Sequence, residues 1–280
     1  MLVKLKQIDF ESFIDKAYEM AIVPEYTSYP IYYDGIKTRE NYIERSKKSF
    51  ERENEEILLF FYDNKFCGWI HYFYIIEDNY LQTISMSACN NIEYMLKEFL
   101  EYINNIFPKI SIYFGFPKEN IKAIDFLLNN SFKIEEESWN MVKHIHNIDE
   151  KNISESIVRI NENNYDMFSN IHSKYDGEIY WDSKHILEDL HNWIVFVFLK
   201  EKIPIATIYC KKGNIAEIFG CDFVDDYNKE VHKKLILSTI FLSNIEVYRD
   251  IIYFCQGNEK IALDELGFST VGKYILLSNK

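Results

Sequence analysis

Two stretches of the chain share one pattern of apolar and polar positions. Residues 58–72 read LLFFYDNKFCGWIHY and residues 195–209 read VFVFLKEKIPIATIY. Each stretch is an apolar run, a polar turn that contains a lysine, and a second apolar run, which is the pattern of a β-hairpin. The two predicted hairpins suggest that one structural unit occurs twice in this chain.

The elements that follow each hairpin also occur twice. Apolar spacing predicts a strand at 80–88, a helix at 91–106, a strand at 109–114, a short helix at 120–128 and a closing strand at 132–145. The second half repeats this order, with a strand at 214–221, a helix at 228–243, a strand at 250–255, a short helix that ends at 266 and a closing strand at 268–278. Phe61 and Phe198 are 137 residues apart, and Phe132 and Phe268 are 136 apart. This nearly constant offset indicates a tandem duplication.

Each copy also opens with helical segments, predicted at 10–18 and 39–52 in the first copy and at 164–173 and 183–190 in the second. The unit is therefore α-α-β-β-β-α-β-α-β, which is an α/β (α+β) fold class. Residues 146–155 read HNIDEKNISE and lack hydrophobic periodicity. We place the boundary there, which predicts domains at 1–148 and 152–280.

The composition excludes two nucleotide-binding folds. The chain has 280 residues, of which 48% are hydrophobic, so it can bury a large core. Only nine residues are glycine, about 3% where soluble proteins carry about 7%, and no two glycines are spaced as G-x-G. The Rossmann fingerprint and the P-loop both need closely spaced glycines, so neither is present.

The net charge and the cysteine spacing argue against several further classes of protein. The formal net charge is −13, which disfavours binding to nucleic acid. Five cysteines without a C-x-x-C spacing argue against a disulfide framework and a zinc ribbon. Residues 1–15 have no apolar stretch typical of a signal peptide, and no apolar run reaches the length of a membrane span. We expect a cytoplasmic protein with no membrane partner.

The two copies have similar closing segments before their last strands. Residues 120–132 read NIKAIDFLLNNSF, and residues 258–268 read NEKIALDELGF. These segments resemble the closing segment of the GNAT superfamily of acyl-CoA-dependent N-acyltransferases, in which N-x-x-A precedes a Gly-Phe. The first copy has Asn120 and Ala123 in place and Ser131 where the glycine usually stands, and the second keeps Gly267 and Phe268, with Gln256 and Glu259 at the Asn and Ala positions. The resemblance implies two tandem GNAT-like domains, each with a mixed, mainly antiparallel sheet flanked by helices.

The resemblance also implies that acetyl-CoA is the co-substrate and that no metal takes part. In the family, small residues at the N-terminus of the helix after the central strand hold the pyrophosphate of coenzyme A. The aligned positions are Glu230 and His232 in the second copy, and Tyr94 and Leu96 in the first. The second copy also has a lysine group and a nearby amide, so we favour it for coenzyme A. The predicted contacts are Asn228, Lys229, Glu230, Val231, His232, Lys233 and Asn258.

Family members transfer the acyl group directly, with a general base that accepts the proton of the amine. The tyrosine that often serves as the acid is replaced by leucine in both copies, at Leu127 and Leu263. The candidate base is Glu217 in the predicted central strand, and Asp222 at the end of that strand is a weaker candidate. Burial among apolar neighbours would raise its pKa, whereas a position on the polar face of the strand would leave it in solvent.

Two functions follow as hypotheses. The first is an N-acetyltransferase that acts on a primary amine of a small molecule or peptide, as a monomer or homodimer. The alternative is a tandem GNAT-like module without catalysis that binds a small molecule or a partner protein, because both pyrophosphate turns and both tyrosines depart from the family pattern.

Overall fold

The chain forms two compact units in the computed structural model, which describes residues 1–145, 155–213, 215–245 and 249–280. The first unit comprises Met1–Glu137 and Gly272–Lys280, and the second comprises Ser138–Val271. These units differ from the predicted domains, which followed sequence order. Most of the polar segment on which that prediction rested, residues 146–154, lies outside the described residues.

The elements of the first unit follow the predicted order, with one short strand added at the start. They are β1 (Leu2–Lys4), α1 (Ile14–Ala21), α2 (Arg39–Lys47), β2 (Glu55–Tyr62), β3 (Lys65–Ile75), β4 (Tyr80–Ala88), α3 (Ile92–Ile106), β5 (Ser111–Pro117) and α4 (Ile121–Asn129). The strand β6 (Lys133–His144) then leads out of this unit into the second.

The second unit repeats this order. Its elements are β7 (Ile157–Arg159), α5 (Asp166–His172), α6 (Ser183–Glu188), β8 (Trp193–Lys200), β9 (Ile203–Lys211), β10 (Ala216–Phe223), α7 (Lys229–Ile245), β11 (Asp250–Cys255) and α8 (Gly257–Glu265). The last strand, β12 (Ser269–Ser278), begins in the second unit and ends in the first.

In each unit, one of the two strands at the ends of the strand order comes from the other half of the chain. In the first unit the order is β1-β2-β3-β4-β5-β12, and in the second it is β6-β11-β10-β9-β8-β7. β12 pairs with β5, antiparallel, with Leu277 opposite Phe114, and β6 pairs with β11, with Trp139 opposite Cys255. The expectation that each closing strand completes its own copy was therefore wrong. Both strands follow a similar short helix, and periodicity within one strand does not specify its partner.

Both predicted hairpins are present, and each has a two-residue turn. Asp63 and Asn64 connect β2 to β3, and Glu201 and Lys202 connect β8 to β9. All four residues have positive φ, between 48° and 69°. Positive φ at both turn positions matches the right-handed twist of the strands, so these turns fix the register of each hairpin.

Helices cover both faces of each sheet. In the first unit, α3 and α4 bury residues such as Phe99 and Leu127 against one face, and α1 and α2 cover Trp69 on the other. In the second unit, α7 and α8 bury Leu235 and its neighbours on one face, and α5 and α6 cover Tyr209 on the other. This arrangement confirms the predicted fold class: tandem α/β domains with mainly antiparallel sheets flanked by helices.

Candidate functional site

The central strands of the second unit diverge. β10 pairs in parallel with β11 only over Ala216–Ile218, yet it pairs with β9 as far as Phe223. No described residue forms a backbone ladder with the β11-facing edge of β10 beyond Ile218. Along this stretch Phe219 retains 37% of its accessible surface, Gly220 and Cys221 are half-buried, and Asp222 is buried. The two strands separate beyond this point, and we call the space between them, along the unpaired edge of β10, the cleft.

Glu217 lies at the start of this cleft. It is half-buried, and on the neighbouring strands it is opposite Lys211 on β9 and Ile252 on β11. Trp193 on β8 is in turn opposite Lys211, so the three side chains form a row on one face of the sheet. The predicted base is thus neither fully buried nor fully in solvent, and a lysine is its neighbour.

The Lys211 ammonium is held by aromatic rings and a carboxylate. Its Nζ lies 3.3 Å from the ring centre of Trp181 and 5.2 Å from that of Trp193, and 3.3 Å from a carboxylate oxygen of Asp189. Burial lowers the pKa of Lys211, and the charges of Asp189 and Glu217 oppose that shift. The Phe219 ring lies 5.3 Å from Trp193 and extends this aromatic surface toward the cleft.

A bulge in β10 follows Glu217. The pairing with β9 shifts between Ile218 and Gly220. A Cβ at Gly220 would collide with the Tyr209 hydroxyl, so only glycine fits there without rearrangement. Bulges change the direction of side chains next to functional sites, and this one separates Glu217 from the acidic residue at the end of the strand, Asp222.

Asp222 forms a buried pair with His172 that the sequence did not reveal. His172 Nδ1 lies 2.7 Å from a carboxylate oxygen of Asp222, and its Nε2 donates to the carbonyl oxygen of Trp181 at 2.9 Å. Both ring nitrogens are therefore bound, and the pair anchors α5 and the loop before α6 to β10. The two residues are 50 positions apart, which explains why no local pattern signalled the pair.

The start of α7 was predicted to hold the pyrophosphate of coenzyme A. Asn228 precedes the helix, and its side chain and carbonyl oxygen accept from the N–H groups of Val231 and His232, respectively. Lys229 and Lys233 both donate to the carboxylate of Glu265, at 2.6 and 2.9 Å. These two hydrogen bonds lower the pKa of Glu265 to about 2. The two predicted phosphate-binding lysines are thus paired with a carboxylate of α8.

The remaining predicted contacts are placed differently from one another. Glu230 is exposed and lies 3.7 Å from Lys233. Asn258 is exposed in the first turn of α8. Leu263, at the position of the family's tyrosine, is fully buried in the core. The structure brings the lysines and Glu230 together at one helix end, on a different element from Glu217.

His232 is buried at the centre of a polar chain. Tyr253 donates its hydroxyl proton to Glu259 at 2.7 Å, so His232 Nε2–H donates to the Tyr253 oxygen at 3.4 Å. His232 Nδ1 then accepts from the Tyr227 hydroxyl at 3.0 Å. Burial lowers the pKa of His232 to about 3, which fits this neutral tautomer.

The sequence contained a signal for this placement. His232 lies three and four residues before Leu235 and Ile236, so it shares the apolar face of the helix. A histidine on such a face is buried, and it fills the place where the family has a small residue. Its side chain faces the core and is not presented to a ligand at the helix end.

Two general observations bear on the expected partners. Within the part of the chain that the structure describes, no helix combines the length and apolar character that crossing a bilayer requires. Among the same residues, no three His, Cys, Asp or Glu side chains are grouped as metal ligands.

The fold of the chain is similar to that of solved GNAT proteins. A GCN5-related N-acetyltransferase from Sphaerobacter thermophilus superposes with a TM-score of 0.67 at 9% identity, covering 99% of this chain and 94% of that one. A tandem GNAT protein from the clavulanic acid biosynthesis pathway gives 0.57 at 8% identity, covering 99% and 97%. A GNAT acetyltransferase from Colwellia psychrerythraea gives 0.50 at 12% identity, covering 99% and 98%.

No protein-family model matches the sequence, and no curated protein matches it. The likeness to solved structures establishes a GNAT-like fold in a tandem arrangement. At these identities it extends to the fold and leaves substrate and chemistry to be argued from the residues.

Proposed function

We propose that the chain is an acyl-CoA-dependent N-acyltransferase whose active site is the cleft between β10 and β11 of the second unit. The observation that carries this proposal is the open edge of β10 beside a half-buried carboxylate, Glu217. The pantetheine arm of coenzyme A contains two amide groups. An extended arm of this kind adds to a strand edge by main-chain hydrogen bonds, as peptides do.

In the proposed reaction, the acceptor is a primary amine of a small molecule or peptide. Its nitrogen attacks the carbonyl carbon of the thioester, and a proton of the nitrogen passes to the Glu217 carboxylate, directly or through a water molecule. Backbone N–H groups at the open edge of β10 stabilise the oxyanion. The C–S bond then breaks, and the departing sulfur takes up a proton to give free coenzyme A.

The electrostatics of the acceptor side favour a cationic acceptor. Glu217 and Asp189 supply two negative charges against the one positive charge of Lys211, which already covers the Trp181 ring, and the Phe219 ring lies beside them. Aromatic faces and carboxylates together attract ammonium groups. An amine with a further cationic group fits this surface better than an anionic one.

The coenzyme A phosphates are assigned to Lys229 and Lys233. The N–H groups of Val231 and His232 already donate to Asn228. The pyrophosphate is therefore assigned to the two lysine ammonium groups and to the N–H groups of Lys229 and Glu230. The lysines must leave Glu265 to bind it, which lowers the affinity. Phosphate binding at this helix end is thus weaker than a glycine-rich turn would give.

The test combines binding and turnover. We expect acetyl-CoA to bind in calorimetry and to raise the melting temperature by mass action. With an active amine, release of the coenzyme A thiol should fall about 10²-fold or more in Glu217→Gln, with the dissociation constant for acetyl-CoA unchanged. Glu188→Gln, an exposed carboxylate on α6, is the matched control.

The outcomes separate the two functions. If no acyl-CoA binds at millimolar concentration, the proposed enzyme function is refuted. Binding without thiol release, across a broad panel of amines, would favour the non-catalytic module. The specific observations for that alternative are the pairing of both lysines with Glu265 and the burial of Leu263 at the acid position.

A further inference from the structure

The central strands of the first unit diverge in the same way as those of the second. β4 pairs in parallel with β5 only where Tyr80–Gln82 lies opposite Ser111–Tyr113. Beyond this point, residues 84–88 of β4 are all buried, and so is Gly115 on β5. Buried backbone groups need hydrogen-bond partners. In contrast to the second unit, the gap between the diverging strands must therefore be filled.

The first unit fills this gap with its own chain, the segment Tyr26–Tyr29, which we call the strap. On the β4 side, Ser28 N–H donates to the carbonyl oxygen of Met86 at 2.7 Å, and Met86 N–H donates to the Ser28 hydroxyl at 2.8 Å. Ala88 N–H donates to the carbonyl oxygen of Tyr26 at 2.9 Å. The strap thus occupies the edge that is open in β10.

The strap also binds β5 and α4. Tyr29 N–H donates to the carbonyl oxygen of Gly115 at 2.8 Å, and the Tyr29 ring packs edge-on against Tyr274 at 4.8 Å. Asn120 is fully buried, and its Nδ2 donates to the carbonyl oxygen of Thr27 at 2.9 Å. The Asn120 Oδ1 caps α4 at the same time. Both strands that border the gap are therefore closed by one segment.

The length of the connection between the first two helices explains why only the first unit has a strap. Residues 22–38, seventeen in number, connect α1 to α2, whereas residues 173–182, ten in number, connect α5 to α6. Seven additional residues extend the reach by about 23 Å at about 3.3 Å per residue. In the shorter connection, the Lys174 side chain donates to the carbonyl oxygen of Phe223 at the end of β10, and the Trp181 ring contacts that of Phe219.

We infer that the strap closes the cleft of the first unit to acyl-CoA, so that each chain binds one acyl-CoA, in the second unit. The choice of ligand rests on the proposed function. The closure itself rests on the hydrogen bonds and burial of the strap and stands independently of any ligand. The first unit then has a structural role. Its departures from the family pattern, such as the core residue Leu96, do not weaken acyl-CoA binding, because this unit binds none.

Two measurements on the full chain test this inference. Calorimetry with acetyl-CoA is expected to give one site per chain, and hydrogen exchange is expected to show ligand protection at 219–223 of β10 with none at 84–88 of β4. Two sites per chain, or ligand protection at 84–88, would overturn the inference.

Hydrogen exchange without ligand tests closure separately. The amides of Ser28, Tyr29, Met86 and Ala88 should exchange at least about a hundredfold more slowly than in an unstructured chain. Fast exchange at these four amides would overturn closure, whatever acetyl-CoA does. Slow exchange together with no acetyl-CoA binding would support closure while refuting the proposed function, so the two failures are distinguishable.

Asn120→Asp is the matched variant, because it keeps the oxygen that caps α4 and removes the donor to Thr27. Loss of this buried hydrogen bond should speed exchange at Ser28 and Tyr29 about tenfold. Gln256→Glu makes the same change at the corresponding residue before α8 and should leave those amides unchanged. Equal exchange at Ser28 and Tyr29 in Asn120→Asp and the wild type would overturn the strap as the closing segment.

Discussion

Glu201 and Lys202 form the turn between β8 and β9 with φ of 52° and 69°. A left-handed backbone is unfavourable for residues with a Cβ, and Asn or Gly is preferred in such turns. We expect Lys202→Gly to raise the free energy of unfolding by about 1 kcal/mol, measured by urea denaturation. In the first hairpin Asn64 already suits the turn, so Asn64→Gly should gain less. A loss of stability in Lys202→Gly would contradict this reading.

The neutral His232 makes stability depend on pH. Its folded pKa is about 3, below the value of about 6.5 in an unfolded chain. Below pH 6.5 the unfolded chain therefore binds a proton that the folded chain does not. The contribution of His232 to the free energy of unfolding is therefore complete above pH 6.5, and it falls by about 1.4 kcal/mol per pH unit between pH 6.5 and pH 3.

We therefore expect His232→Gln to lose less stability than the wild type when the pH falls from 7.5 to 5.5, by about 1.4 kcal/mol. Urea denaturation at the two pH values measures the difference. His191 is exposed, and His191→Gln should keep the wild-type dependence. The same pH dependence in His232→Gln and the wild type would show that the histidine binds its proton as readily in the folded state as in the unfolded chain.

At the scale of elements, the contact between α7 and α8 sets the charge of the proposed phosphate site. Because Glu265 holds Lys229 and Lys233, Glu265→Gln should free both ammonium groups. Exposed ion pairs of this kind contribute little each, so we expect acetyl-CoA to bind about threefold to tenfold more tightly at low salt, as measured by calorimetry. Asp264→Asn, which removes the partner of Lys260, is the control. Unchanged affinity in Glu265→Gln would place the phosphates elsewhere.

Local patterns predicted most elements but not their non-local contacts. The two hairpins, α3 and the helices near the ends of the copies follow from apolar spacing and turns within one segment. The strap lies in 22–38, which has no periodicity, and the partners of its hydrogen bonds are 58 to 93 residues away. β1 and β7 have three residues each, too few to show an alternation. For the site, the sequence identified Glu217 and the lysines as candidates. The pairing of Asp222 with His172 and that of Lys229 with Glu265 join residues far apart in the sequence, so only the fold reveals them.

At the scale of the whole molecule, the exchange of β6 and β12 makes each unit depend on both halves of the sequence. Ile275 and Leu277 of β12 are buried in the core of the first unit. Burial of two such side chains contributes about 4 kcal/mol, a large part of the 5–15 kcal/mol that is typical of a domain. A division of the chain at the polar segment therefore removes a core strand from the first unit.

We expect the fragment 1–145 alone to lack a cooperative thermal transition in circular dichroism, because β5 loses its partner strand. Addition of the fragment 155–280 should restore the transition and give a complex in size-exclusion chromatography. The same fragment with Ile275→Asp and Leu277→Asp should not restore it, since charged residues cannot be buried against Phe114 and Phe116. A fragment 1–145 that melts cooperatively at the temperature of the full chain would show that β12 contributes little, and that the predicted domain 1–148 folds on its own.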